Sequence, residues 1–172
     1  ADKEFLIDQD IRLTFGEVLA ASRELAGGLI EGYGLKKGDR VGIAARNSAN
    51  WLVAYMAIIT AGGVATLLNG WWQGGELADG IRLVDCRYIL ADEQRAARLS
   101  DQDIGNANIL IFEHDVMPLE GLKILTENGG GSTTPLPAID PLDPATILYT
   151  SGSTGQSKGA WSDHRAVTQA AM

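Results

Sequence analysis

Apolar and polar positions alternate along this chain with two periods, and the switches between them mark the elements. Residues 5–7 and 12–15 flank an Asp8-Gln9-Asp10 turn, which predicts a small hairpin. Thr14-Phe15-Gly16-Glu17 has capping-box spacing. Apolar residues then follow at Val18, Leu19, Leu25, Ala26, Leu29 and Ile30, one face of a helix that Gly32 and Gly34 should stop. Lys36-Lys37-Gly38-Asp39 reads as a turn into a short apolar strand over 41–45, bounded by Arg40 and Arg46, as a parallel strand buried on both faces would be. Asn47 or Ser48 can cap the next helix, which covers 51–59 and ends at Gly62-Gly63, with a buried strand at 64–68. A helix over 76–84, a strand over 87–91, a short helix over 93–99 and a strand over 109–112 continue the series. Such alternation predicts an α/β fold, a mostly parallel sheet flanked by helices.

Residues 127–144 break this rhythm. Gly129-Gly130-Gly131-Ser132-Thr133-Thr134-Pro135 has little to bury and reads as a flexible connection, after which residues 145–149 form a last strand.

Composition narrows the classes. The chain has 172 residues, of one-domain size, with 45% hydrophobic positions, enough for a real core. Residues 47–75 carry no charge, which resembles a membrane span, but Gly62-Gly63 splits the run into a helix and a strand. We expect no transmembrane segment. The net charge is −8 and no basic stripe exists, so nucleic acid is not an expected partner. Cys86 is the only cysteine, which excludes an internal disulfide, suits a cytoplasmic setting and reads as a buried thiol. Trp71-Trp72 can pack under a neighbouring element, against a missing domain, or against a ligand. The first residues are charged, without an initiator Met or an apolar leader, and the last ones read as helix. A longer parent is therefore expected at both ends.

The densest chemistry follows the last strand: Tyr149-Thr150-Ser151-Gly152-Ser153-Thr154-Gly155-Gln156-Ser157-Lys158-Gly159. Glycines let consecutive N–H groups converge on an anion, hydroxyls add donors, and a lysine brings a compact positive charge. A run of this composition also occurs in plain solvated loops. It lacks the Gly-Lys-Ser/Thr of the Walker loop, since Lys158 follows Ser157, and it lacks a third glycine in dinucleotide register.

This segment resembles the phosphate loop of the adenylate-forming superfamily, which includes acyl-CoA synthetases, aryl-CoA ligases, luciferases and peptide-synthetase adenylation domains. Ser157 stands where that pattern has proline, and Ala160 where valine is common. The resemblance continues upstream in order: Thr14 to Val18, Ala26 to Leu29, Lys37 to Val41, Asn47 to Trp51, Ala61-Gly62-Gly63, Leu67-Leu68-Asn69, Glu76-Leu77 and Leu90-Ala91-Asp92. It implies that residues 1–172 are part of the amino-terminal domain of an acyl-CoA synthetase, with the phosphate loop at 150–159. ATP and Mg²⁺ would serve as cofactors, and a carboxylic acid and coenzyme A as co-substrates. Thr150, Ser151, Gly152, Ser153, Thr154, Gly155 and Lys158 would cradle the β- and γ-phosphates. Lys158 would be catalytic, and Thr150 or Thr154 would lie near the metal. His164 would either line the acyl pocket or belong to a helix cap at Asp163. The family's adenine, glutamate, ribose and terminal-lysine motifs lie beyond such a loop, so the isolated chain is expected to be inactive and to need the rest of its polypeptide. Two other readings stay open: a non-catalytic nucleotide-binding or interaction module of the same fold, and a peptide-synthetase adenylation domain.

Overall fold

A computed structural model describes residues 2–151 and 157–170. Strands β1 (Glu4–Asp8) and β2 (Ile11–Thr14) form the antiparallel hairpin, with Gln9 in the left-handed region at its turn. Helix α1 (Phe15–Tyr33) starts at once, because Thr14 accepts from the Glu17 N–H while the Glu17 carboxylate accepts from the Thr14 N–H at 2.8 Å. Phe15 therefore belongs to the helix rather than to the strand. Gly32 stays within α1, and Gly34 ends it at φ 65°, a conformation that costs a glycine little.

The elements that follow are β3 (Arg40–Ala44), α2 (Ala49–Thr60, capped by the Ser48 side chain), β4 (Val64–Leu67), α3 (Gly74–Leu83), β5 (Tyr88–Ala91), α4 (Glu93–Arg98) and β6 (Asn108–Ile111). A short helix α5 (Pro118–Gly121) and a 3₁₀ turn (Lys123–Leu125) come next, then β7 (Pro144–Ser151), β8 (Ser157–Asp163) and α6 (His164–Ala170). The sheet order is β6-β5-β3-β4-β7-β8. All pairings from β6 to β7 are parallel, and β8 adds antiparallel to β7.

Both faces of the sheet are covered, which explains why its strands read as unbroken apolar runs. Val41, Ile43, Ala65, Tyr88 and Leu90 point into a core shared with α1 and α2, where Leu25, Leu29, Val53 and Ile58 are buried. Ala44, Ile89 and Ala91 point the other way, onto Leu77 and Ile81 of α3 and Ala96 of α4. Burying a leucine of this kind contributes about 2 kcal/mol. Among the described residues, no helix is long and apolar enough to cross a membrane.

Three sequence expectations change. Strand β8 was not anticipated, because residues 157–161 are all exposed and show no apolar alternation. Nor were α5 and the 3₁₀ turn, which are too short for a period; buried Asn50 holds the first of them by donating to the carbonyls of Glu113 and Val116, both at 2.8 Å. The third change concerns 127–144. That stretch has no helix or strand before β7, yet it does not lack buried contacts. Gly130 and Gly131 press backbone-to-backbone against Gly27, Thr134 is buried, and Leu136 packs on the first core.

Candidate functional site

The end of β7 and the start of β8 form the candidate site, at the carboxyl edge of the parallel strands, where open α/β sheets commonly bind ligands. Ser151 pairs with Ser157, Thr150 with Lys158, and Tyr149 with Gly159. Directly paired residues share a sheet face, so the side chains of Thr150 and Lys158 leave the hairpin on the same face, and both residues are exposed. The Thr150 hydroxyl lies 3.5 Å from the Lys158 carbonyl, at the long limit of a hydrogen bond. Gly152, Ser153, Thr154 and Gly155, and with Thr154 half of the expected metal contact, lie outside the described residues. Ser151 is described only as the last residue of β7.

What holds this corner is a partly buried contact on the opposite face. The Tyr149 hydroxyl donates to the Gly80 carbonyl of α3 at 2.6 Å, and its ring meets Trp72 edge-on at 5.1 Å. Burial pushes the phenol pKa far up, so Tyr149 stays protonated and able to donate. Trp72 is thus core, while Trp71 is 83% exposed and forms one wall of a groove of about 470 Å³ with Arg46, Asn47, Trp51, Leu67 and Arg95.

That groove lies past the ends of β3 and β4, and its floor is built from a polar network that the sequence did not reveal. Asp92, 1% exposed, accepts from the Arg46 and Arg95 N–H groups and pairs with the Arg95 guanidinium at 2.9 Å. Arg95 and Arg98 donate in turn to the Gly70 carbonyl, and Arg98 also to that of Trp72, which fixes the 69–73 loop. The usable signal was an Asp closing an apolar strand with an Arg three residues on. An aromatic wall beside a guanidinium suits a planar or anionic group.

His164 is not brought to the loop. Strand β8 carries it away from Lys158 by six residues, about 20 Å at a strand's rise, to the opposite edge of the sheet. There Asp163 caps α6 by accepting from the Ala166 N–H at 2.7 Å, and the His164 N–H donates to the Asp143 carbonyl. Of the two roles expected for His164, the helix cap is the one with a contact to show for it: His164 opens α6 behind Asp163. It also borders a groove of about 400 Å³ with Ile139, Pro141 and Thr168. Burial lowers its pKa, against the opposing pull of Asp143 and Asp163, and Lys37 lowers it further. Cys86 is buried, and desolvation pushes its thiol up to about 11, so it has no nucleophilic role near neutral pH.

The exposed pair at Thr150 and Lys158 suits a polyphosphate: one hydroxyl and one cation, carried on the same sheet face and open to solvent. For Mg²⁺ the same residues offer at most a single neutral oxygen, so most of its ligands would be phosphate oxygens and water. Among the described residues, no group of three or more His, Cys, Asp or Glu side chains is arranged to hold a metal.

Comparison with known proteins agrees with the fold. Residues 1–172 match the family described as AMP-binding enzyme, and the chain belongs to that family. It is 31% identical over 155 residues to a 4-coumarate–CoA ligase-like protein of Oryza sativa subsp. japonica, covering 82% of this chain but 26% of the rice protein. Its fold resembles a benzoate CoA ligase from Burkholderia xenovorans LB400, with a TM-score of 0.81 at 18% identity, over 99% of this chain and 33% of that one. It also resembles an artificially fused adenylation–PCP di-domain from Klebsiella oxytoca, with a TM-score of 0.80 at 22% identity, over 99% of this chain and 31% of that one.

Proposed function

We propose that this chain is the phosphate-binding part of an ATP-dependent acyl-CoA synthetase. The observation that carries the reading is the Thr150–Lys158 pair, open to solvent at the carboxyl edge of the sheet. In the reaction, a carboxylate oxygen bonds to the α-phosphorus of ATP while the bond to the bridging oxygen of pyrophosphate breaks. The sulfur of coenzyme A then attacks the acyl carbon and AMP leaves with its electron pair. The first step develops charge on the β- and γ-phosphates, so positioning and charge neutralisation do most of the work. Lys158 neutralises that charge and the Thr150 hydroxyl orients it, joined by the donors of 151–155. Magnesium, when bound with ATP, offsets further phosphate charge.

Because the chain spans 26% of the rice relative, we propose that it completes neither half-reaction alone, and that the adenine, ribose and acyl contacts come from the rest of its polypeptide. The test is AMP release by that complete polypeptide over a panel of carboxylic acids, with and without coenzyme A. Acid-dependent release that rises at least tenfold with coenzyme A is expected; release with no acid dependence would contradict the proposal. The similarity to the adenylation–PCP di-domain favours a second reading, in which the acceptor thiol sits on a carrier protein. Acid-dependent pyrophosphate exchange that coenzyme A leaves unchanged would select it.

A further inference from the structure

The end of α3 and the base of the β7–β8 hairpin are built against each other at one cross-strand pair. Helix α3 covers Gly74–Leu83, so the carbonyls of its last four residues, Gly80 among them, have no partner within the helix. The Ile81 carbonyl accepts from the Cys86 N–H, and that of Arg82 from the Val84 and Asp85 N–H groups. The Gly80 carbonyl is met instead by the Tyr149 hydroxyl, from a strand 69 residues away.

The cross-strand partner of Tyr149 is Gly159. A methyl group on Gly159 would stand 3.1 Å from Val84 Cγ1 and 3.2 Å from Ile147 Cγ2, closer than ordinary packing allows. A methyl there would need Val84 or Ile147 to give by a few tenths of an ångström, so the bare glycine eases the approach of Val84, just past α3, to β8. Gly80 obeys the same rule on the helix side, where a methyl group would stand 2.8 Å from the Trp72 ring. The next pair outward is Thr150–Lys158.

We infer that Tyr149 is a positioning residue for phosphate binding: its phenol, clamped between the Gly80 carbonyl and Trp72, with Gly159 as its partner, sets the height and twist at which Thr150 and Lys158 meet the nucleotide. This inference rests on the function proposed above. Tyr149 touches no reacting atom. It acts through the strand, one residue before the hydroxyl and opposite the residue after the lysine. The protonated phenol that burial enforces keeps the donor in place across the working pH range. A loosened clamp leaves the donors present but averaged over several positions, which weakens both nucleotide binding and the charge neutralisation that speeds adenylate formation.

Two variants of the complete polypeptide test this, Tyr149→Phe and Gly159→Ala. The expected result for Tyr149→Phe is a rise of about fivefold in KM for ATP, the size expected for one lost hydrogen bond, with a fall of similar size in kcat and KM for the carboxylic acid unchanged; Gly159→Ala, which loses no hydrogen bond but crowds Val84 and Ile147, should move the same two constants in the same directions. A purely structural role would lower the melting temperature and the active fraction while leaving KM for ATP at its original value, and that result overturns the inference. If one variant fails to fold, the other decides.

A second readout is independent of activity. In the complete polypeptide, Tyr149→Phe should speed amide exchange at Thr150 and Lys158 by about fivefold relative to Leu90 in the central sheet. Equal protection in both variants and wild type overturns the inference whatever the enzyme does. Absence of any acid-dependent pyrophosphate exchange in the unaltered complete polypeptide sinks the proposed function instead, and the exchange measurement then stands alone.

Discussion

At the scale of single residues, His164 shows how placement overrides sequence proximity. It follows the loop by few positions, yet β8 turns those positions into a strand length and delivers it to the far edge of the sheet. Its ring is partly buried, and among the described residues no hydrogen-bond partner reaches Nε2. Burial is the main cause of its lowered pKa, with Asp143 and Asp163 pulling up and Lys37 pushing down. The folded state therefore binds its proton less readily than the unfolded chain. Any stability this contributes is present above about pH 6.5 and fades as the pH falls below that value. Proton NMR of the ring should give a midpoint below 6.5, moving upward in Lys37→Met; a midpoint at or above 6.5 in the unaltered chain would show that the buried ring is not the governing term. The sequence could pair His164 with Asp163, but not with Asp143 and Lys37, which reach it through folding alone.

Among the elements, the long periodic ones were legible and the short ones were not. Thr14 and Glu17 announced the start of α1, Ser48 that of α2, and Gly62-Gly63 the break before β4. Strand β8 stayed hidden because its pairing depends on β7, and its own residues bury almost nothing. The glycine run at 129–131 was readable as a departure from regular structure, but its purpose was not, since close backbone contact leaves no apolar signature. A methyl group on Gly27 would overlap the backbone of Gly131, whereas one on Gly75 in α3 meets nothing closer than Gln102 Oε1 at 4.0 Å. Helix propensity alone favours alanine at both positions by about 1 kcal/mol. Gly27→Ala should nonetheless destabilise by about 1–3 kcal/mol, because the overlap is with backbone that has little room to move. Gly75→Ala should be neutral or stabilising. Urea midpoints of the two variants check this, and a Gly27→Ala chain as stable as Gly75→Ala would mean that 129–131 yields freely.

For the molecule as a whole, five parallel strands with helices on both faces form a frame whose carboxyl edge carries two features, the hairpin with Thr150 and Lys158 and the Trp71 groove held by Asp92. The first was legible as a motif, since its residue types state their chemistry. The second was not, because its Arg, Asp and Trp residues come from three separate connections that only the sheet brings together. In the proposed reaction Lys158 neutralises phosphate charge during adenylate formation. The measurement that bears on it most directly is acid-dependent ATP–pyrophosphate exchange by the complete polypeptide carrying Lys158→Ala. Such neutralisation predicts a fall of at least about a hundredfold, in the range seen when one preorganised electrostatic contact is removed. Exchange within twofold of the unaltered protein, with the fold intact, would contradict it.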